Sequence, residues 1–182
     1  EHGGGGIWIE ATNSQVHISN CTFADNEGYT TDESYGGSMA FNLYSSNVTV
    51  ESSRFERNRG VFGGAVAVYV MTDMTLVMRN NHFINNTGTD SGGGVQMTFK
   101  DRSYTQNILL ESEYYDGNTA QAGGSVFIWP TYTPTPVLLR NITCVRSTAN
   151  KGGCMYLSDA KFVVEQSYFG ENHAIGEVGP GG

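Results

Sequence analysis

The chain of 182 residues has little of what usually declares a function. Its 10 Lys and Arg are scattered against 18 Asp and Glu, giving a net charge of −8. No basic stripe is there to meet a phosphate backbone, so nucleic acid is not expected as a partner. No apolar run is long enough to span a bilayer. The longest, about residues 61–71, is broken by Gly63-Gly64, and direct membrane insertion by this segment is not expected. No stretch carries a helical stripe. His2, His17, His82 and His173 show no metal-ligand spacing, and the adjacent acids Asp32 and Glu33 are a weak calcium signal. The glycine pairs lack the following helix and Lys-Ser/Thr of a phosphate loop. No cofactor is expected.

Cysteine is also scarce, with three in all. Cys21 lies at least three repeats from the others, too far to bridge. Cys144 and Cys154 suit either a disulfide or two buried thiols, and the count leaves the redox compartment open.

What the chain does have is a repeat. A double glycine, a small residue and an apolar strand recur at Gly4-Gly5-Gly6-Ile7, Gly36-Gly37-Ser38-Met39, Gly63-Gly64-Ala65-Val66, Gly92-Gly93-Gly94-Val95, Gly123-Gly124-Ser125-Val126 and Gly152-Gly153-Cys154-Met155. The spacings run from 27 to 32 residues, and Gly181-Gly182 closes the series. Half a period away, aromatic-x-x-Asn recurs at Phe23–Asn26, Phe55–Asn58, Phe83–Asn86, Tyr115–Asn118 and Phe169–Asn172. In the fifth copy Cys144 and Ser147 take those places. Self-similarity at this period marks a solenoid.

Stacked, the repeats form columns. Val16, Val48, Leu76, Ile108, Val137 and Phe162 precede the aromatic by seven, and Ile18, Val50, Met78, Leu110, Leu139 and Val164 by five. Apolar residues two apart mark a strand with one buried face. The glycine strand has the same period, as in Val66 and Val68. Each repeat therefore holds at least two short strands, and stacking gives an all-β parallel β-helix of about six rungs of roughly 29 residues. The glycine pair fits a corner needing positive φ or no Cβ. The asparagines Asn26, Asn58, Asn86, Asn118 and Asn172 read as a structural ladder at a turn, since Asn tolerates the left-handed conformation and can bond its copies above and below. Ser19, Glu51, Arg79, Glu111, Arg140 and Glu165 alternate in sign from the second rung on, which suits a parallel ladder. The next column, from Asn20 to Gln166, is polar throughout and reads as a solvated face.

The Gly-Gly-small-apolar and Phe-x-x-Asn alternation resembles the polymorphic outer membrane protein (Pmp) repeat, with its tetrapeptides GGA[ILV] and FxxN. Gly63-Gly64-Ala65-Val66 matches the first outright and four other copies match it loosely; the motifs at Phe23, Phe55, Phe83 and Phe169 match the second. The resemblance covers essentially the whole chain. It implies a right-handed parallel β-helix on a cell surface, of the kind that acts in adhesion in bacterial autotransporters. Because the sequence starts and ends on the repeat, residues 1–182 are expected to be a single β-helix segment of a longer protein.

Four sequons, at Asn20, Asn47, Asn85 and Asn141, are candidate N-glycosylation acceptors. Function on solenoids lives in loops that break the period. Three do so: 27–35 with Tyr29 and Tyr35, 98–107 with Lys100, Arg102 and Tyr104, and 129–136 with Trp129 and Tyr132. Trp129 either projects for contact or folds back over the strand edge. A groove of stacked aromatics with an uninterrupted acid cluster would mark polysaccharide processing; neither is evident, and Glu51, Glu111 and Glu165 look like partners of arginines rather than an acid/base pair. The expected function is a non-catalytic structural or adhesive segment of a cell-surface or extracellular protein, touching other protein segments, subunits or surface glycans. The alternatives are a carbohydrate-binding or lyase-like β-helix, and a filament subunit joined through β-helix ends.

Overall fold

The computed structural model describes residues 4–28, 35–99, 105–129, 135–159 and 161–176. The chain is an all-β parallel solenoid, as its periodicity predicts. Three six-stranded sheets run its length. The glycine strands Ile7–Thr12, Met39–Tyr44, Val66–Val70, Val95–Phe99, Val126–Trp129 and Met155–Leu157 form the first. Gln15–Ser19, Asn47–Glu51, Met74–Arg79, Gln106–Glu111, Val137–Arg140 and Phe162–Glu165 form the second. The aromatic strands Thr22–Ala24, Arg54–Glu56, His82–Ile84, Tyr114–Asp116, Thr143–Val145 and Tyr168–Gly170 form the third. Each strand pairs in parallel with its counterpart one rung away, so like sits on like: Val66 on Val95, Val95 on Val126.

Each repeat thus has three main strands. A short fourth segment adds to them, pairing Arg59–Phe62 with Thr87–Ser91 and Thr148–Ala149 with His173–Ala174. Its two to five residues lack the apolar alternation that reveals the others.

The core is the inside of the coil. From the second to the fifth rung the inward residues of the first two sheets, such as Phe41, Val68, Met97, Ile128, Leu76, Met78 and Leu110, are buried. The aromatic column stacks through the middle, with ring centroids 5.1 Å apart for Phe23–Phe55, 4.7 Å for Phe55–Phe83 and 5.0 Å for Phe83–Tyr115. Offset stacking of this kind adds about 0.5–1.5 kcal/mol per pair beyond area burial. It also explains the small residue after each glycine pair: a Cβ on Gly94 would stand 3.3 Å from the Tyr115 ring. In the fifth copy Cys144 replaces the ring, in the sixth Cys154 is the small residue, and the two are joined as a disulfide.

The corners correct the sequence reading in two places. The left-handed residue beside the asparagine ladder is not the asparagine but the one before it: Asp25, Arg57, Asn85, Gly117, Arg146 and Glu171 all have φ between 52° and 63°. The column from Asn20 to Gln166 is likewise a left-handed corner rather than a strand face, with Asn20, Ser52, Asn80, Ser112, Asn141 and Gln166 at φ 51–55°. Small or amide side chains predominate there because they bear that conformation at least cost. In the second to sixth pairs the first glycine is a further left-handed corner, Gly63 at φ +72° for example. The second is needed for space: a Cβ on Gly64 would lie 2.1 Å from the Gly93 carbonyl oxygen.

Candidate functional site

The ladder asparagines face inward, and Asn58, Asn86 and Asn118 are buried. Asn86 Oδ1 accepts from both the backbone N–H (2.9 Å) and the side-chain amide (3.0 Å) of Asn58, while Asn86 Nδ2 donates to the Phe55 carbonyl (2.9 Å) and to Asn118 Oδ1 (3.1 Å). The same pattern links Asn26 to Asn58. Asn172 accepts from the Ser147 N–H and donates to the Cys144 carbonyl. In Asn58, Asn86 and Asn118 the side-chain oxygen accepts twice and the side-chain nitrogen donates twice within the protein, which leaves these buried amides nothing to offer a ligand.

On the outer face of the second sheet, Arg79 Nε donates to Glu51 Oε2 at 2.6 Å, and Arg140 lies 3.7 Å from Glu111 and 3.2 Å from Glu165. His17 Nε2 sits 2.8 Å from Glu51 Oε1. His17, Glu51 and Arg79 line a shallow cavity of about 360 Å³ with Gln15, Asn47 and Thr49. The hydrogen bond from Arg79 first, and that from His17 second, hold the Glu51 carboxyl below its ordinary value. A carboxylate clamped this way stays ionised and is poorly suited to donate a proton. Among the described residues, no group of three or more His, Cys, Asp and Glu could hold a metal ion.

The sequence columns miss one feature. The outward side chains of the glycine strands do not all face solvent. Gln96 and Phe127 are buried, and with Tyr69, Thr98 and Trp129 they line a groove of about 350 Å³. Its opposite wall comes from just before the glycine pairs, through Phe62, Asp90 and Ser91. Rings from successive rungs meet along it. Phe127 stacks on Tyr156 at 5.3 Å and lies obliquely under Trp129 at 6.0 Å. Tyr35 packs on Phe62 at 5.7 Å and edge-on to Tyr69 at 4.2 Å. Trp129 remains 53 % exposed, so it covers Phe127 while showing much of its indole to solvent.

The groove carries polar groups too. Gln96 Nε2 donates to Thr98 Oγ1 at 2.5 Å, but Gln96 Oε1 is buried with no hydrogen-bond partner. Burial first, then hydrogen bonding with Tyr35, pushes the Tyr69 hydroxyl well above its ordinary value, so it stays neutral at any physiological pH. The signal available in the sequence was the aromatic directly before a glycine pair, Tyr35-Gly36 and Phe62-Gly63, together with outward Tyr69, Phe127, Trp129 and Tyr156. The stacked aromatics therefore exist; among the groove's described residues no acid cluster accompanies them, and Asp90 is the one acid there.

Of the proposed contact residues, Tyr35 and Trp129 border this groove, while Tyr29, Lys100, Arg102, Tyr104 and Tyr132 lie outside the described residues. All four sequon asparagines are exposed, Asn20 and Asn141 at one left-handed corner and Asn85 at the next. Asn141 Nδ2 donates to Ser112 Oγ at 3.0 Å.

A second buried feature also escapes the repeat. Glu113, in a column otherwise filled by Cys21, Ser53, Asn81, Ile142 and Ser167, is inside the coil. Its Oε1 accepts from the Asn81 backbone and side-chain amides at 3.3 and 3.0 Å. Its Oε2, and the Tyr115 hydroxyl, are buried without partners. Burial drives the Glu113 carboxyl well above its ordinary value despite the Asn81 hydrogen bonds.

Parallel rungs, internal side-chain ladders and left-handed corners define a β-solenoid. The chain belongs to the family described as right handed beta helix region, whose model matches residues 1–142. No curated protein and no solved structure matches it.

Proposed function

We propose that this chain is a non-catalytic, stiff β-helical scaffold of a cell-surface or extracellular protein, built on repeats of the Pmp type, that presents one side for contact with protein or glycan. The observation that carries the reading is the aromatic groove with Trp129 half exposed above it. Large rigid rings on a fixed backbone lose little conformational freedom on contact and bury much area. Three further features support it. The carboxylates of the second sheet are tied to arginines rather than poised for proton transfer. The Cys144–Cys154 disulfide suits an oxidising compartment. The four sequon asparagines are exposed, as glycan acceptors must be.

Two measurements on the native protein test this reading. The first is protease treatment of intact cells, followed by an antibody to this segment. The second is intact mass before and after an N-glycosidase. Loss of the epitope from unbroken cells is the expected result, and a glycan mass mapped to Asn20, Asn47, Asn85 or Asn141 would add a eukaryotic secretory route. An epitope protected until lysis overturns the reading.

A further inference from the structure

We propose that the groove beside the glycine strands is a binding site for a neutral oligosaccharide; this deepens the contact reading above and rests on it. Three properties of the groove select that chemistry. Its walls are aromatic, from Phe62 and Tyr69 on one stretch to Phe127 and Trp129 on the next. The C–H faces of a sugar ring pack against such rings, and a half-exposed indole offers the broadest platform.

The second property is the unpaired acceptor. Gln96 is 3 % exposed and lines the groove, its amide nitrogen is committed to Thr98, and its Oε1 has no donor. A buried carbonyl left unpaired costs about 1–3 kcal/mol, which an incoming hydroxyl would recover. A purely apolar occupant, such as a leucine-rich peptide, would seal that atom away dry. A sugar brings both an apolar face and hydroxyl donors to the same place.

The third is charge. Among the described residues that line the groove Asp90 is the only charged one, and the chain as a whole carries −8. A polyuronate or sulfated chain would be repelled, so the ligand is an uncharged glycan. The volume of about 350 Å³ is at the low end for small-molecule sites, roughly 300–1,000 Å³, so the groove holds a short stretch of a chain.

The test is titration of the folded protein with cellohexaose, mannohexaose, laminarihexaose and chitohexaose, with polygalacturonate as the anionic counterpart. Binding is read by calorimetry and by tryptophan fluorescence, since one of only two tryptophans lies at the site. At least one neutral oligosaccharide is expected to bind. Trp129→Ala should weaken it by at least about tenfold. Gln96→Leu, which keeps the volume and removes the acceptor, should weaken it several-fold. Both variants are first shown to keep the wild-type circular dichroism and melting profile. The proposal is overturned if none of the four binds, if only polygalacturonate binds, or if either variant binds as tightly as wild type. Tighter binding of an apolar peptide by Gln96→Leu would give the groove to a protein partner and overturn it equally. A surface-exposed protein that binds no sugar would sink this inference alone, whereas a sugar-binding protein hidden inside cells would sink the surface reading alone.

Discussion

Asn86 and Glu113 are both buried polar side chains inside the coil, with opposite consequences. Asn86 exchanges four hydrogen bonds with three residues across two rungs. Asn86→Ala leaves the Asn58 N–H and the Phe55 carbonyl without these partners. At about 1–3 kcal/mol for each buried group left unmade, a loss of roughly 3 kcal/mol is expected in chemical denaturation. Glu113 is the reverse case, a carboxyl held neutral by burial. Its folded-state value lies above the ordinary 4.5, so the folded chain keeps this proton to higher pH than the unfolded chain does. The group therefore favours the fold most below about pH 4.5, and that contribution is lost as pH rises from there toward the raised folded value. Glu113→Gln should raise the melting temperature at pH 7 and change it little at pH 4. The difference between variant and wild type is the quantity to follow, because Glu51 and Asp25, whose carboxyls sit below their ordinary values, weaken both proteins in acid. A variant that melts below wild type at pH 7 would show that Glu113 is stabilising as an anion.

Among elements, the corners discriminate most sharply between residues. A Cβ on Gly93 would stand 2.1 Å from the Gly124 carbonyl oxygen, backbone that cannot yield without parting two rungs. Gly93→Ala should cost more than about 4 kcal/mol, in the class of severe backbone conflicts. The adjacent Gly94→Ala should be mild, because its Cβ contacts begin at 3.0 Å and other rungs carry alanine or serine in that column. Equilibrium unfolding of the two variants side by side checks the contrast; similar losses would refute the close-approach account. The strands were legible because a buried face repeats every two residues, and Val48 with Val50 or Leu76 with Met78 can be read directly. The left-handed positions were harder. Asn26 and Asn58 look like turn residues, yet the turn is made by Asp25 and Arg57, in a column whose Asp, Arg, Asn, Gly and Glu share no residue type. The groove was illegible for a different reason. Its outward column runs Ala40, Ala67, Gln96, Phe127, with no common residue type, and its facing wall comes from a segment too short to show a period.

For the molecule as a whole, stability is a chain of contacts between neighbouring rungs. The Cys144–Cys154 disulfide, spanning ten residues, constrains the unfolded state locally. Reduction should cost about 2–3 kcal/mol on the loop-entropy account. Hydrogen exchange should rise in the strands Thr143–Val145 and Met155–Leu157 while Val66–Val70 keeps its protection. Uniform loss of protection along the column would show instead that all rungs open together. The asparagine ladder has one more consequence. From Asn26 through Asn58 and Asn86 to Asn118, one side-chain N–H of each amide donates to the next rung's side-chain carbonyl, and that carbonyl points back toward the rung before. The amide dipoles add head to tail along the axis, so the column is a vector. A copy meeting one end of such a stack finds donors, and at the other end acceptors. Any continuation that preserves the ladder must travel in one sense only, with no mirror-related joint.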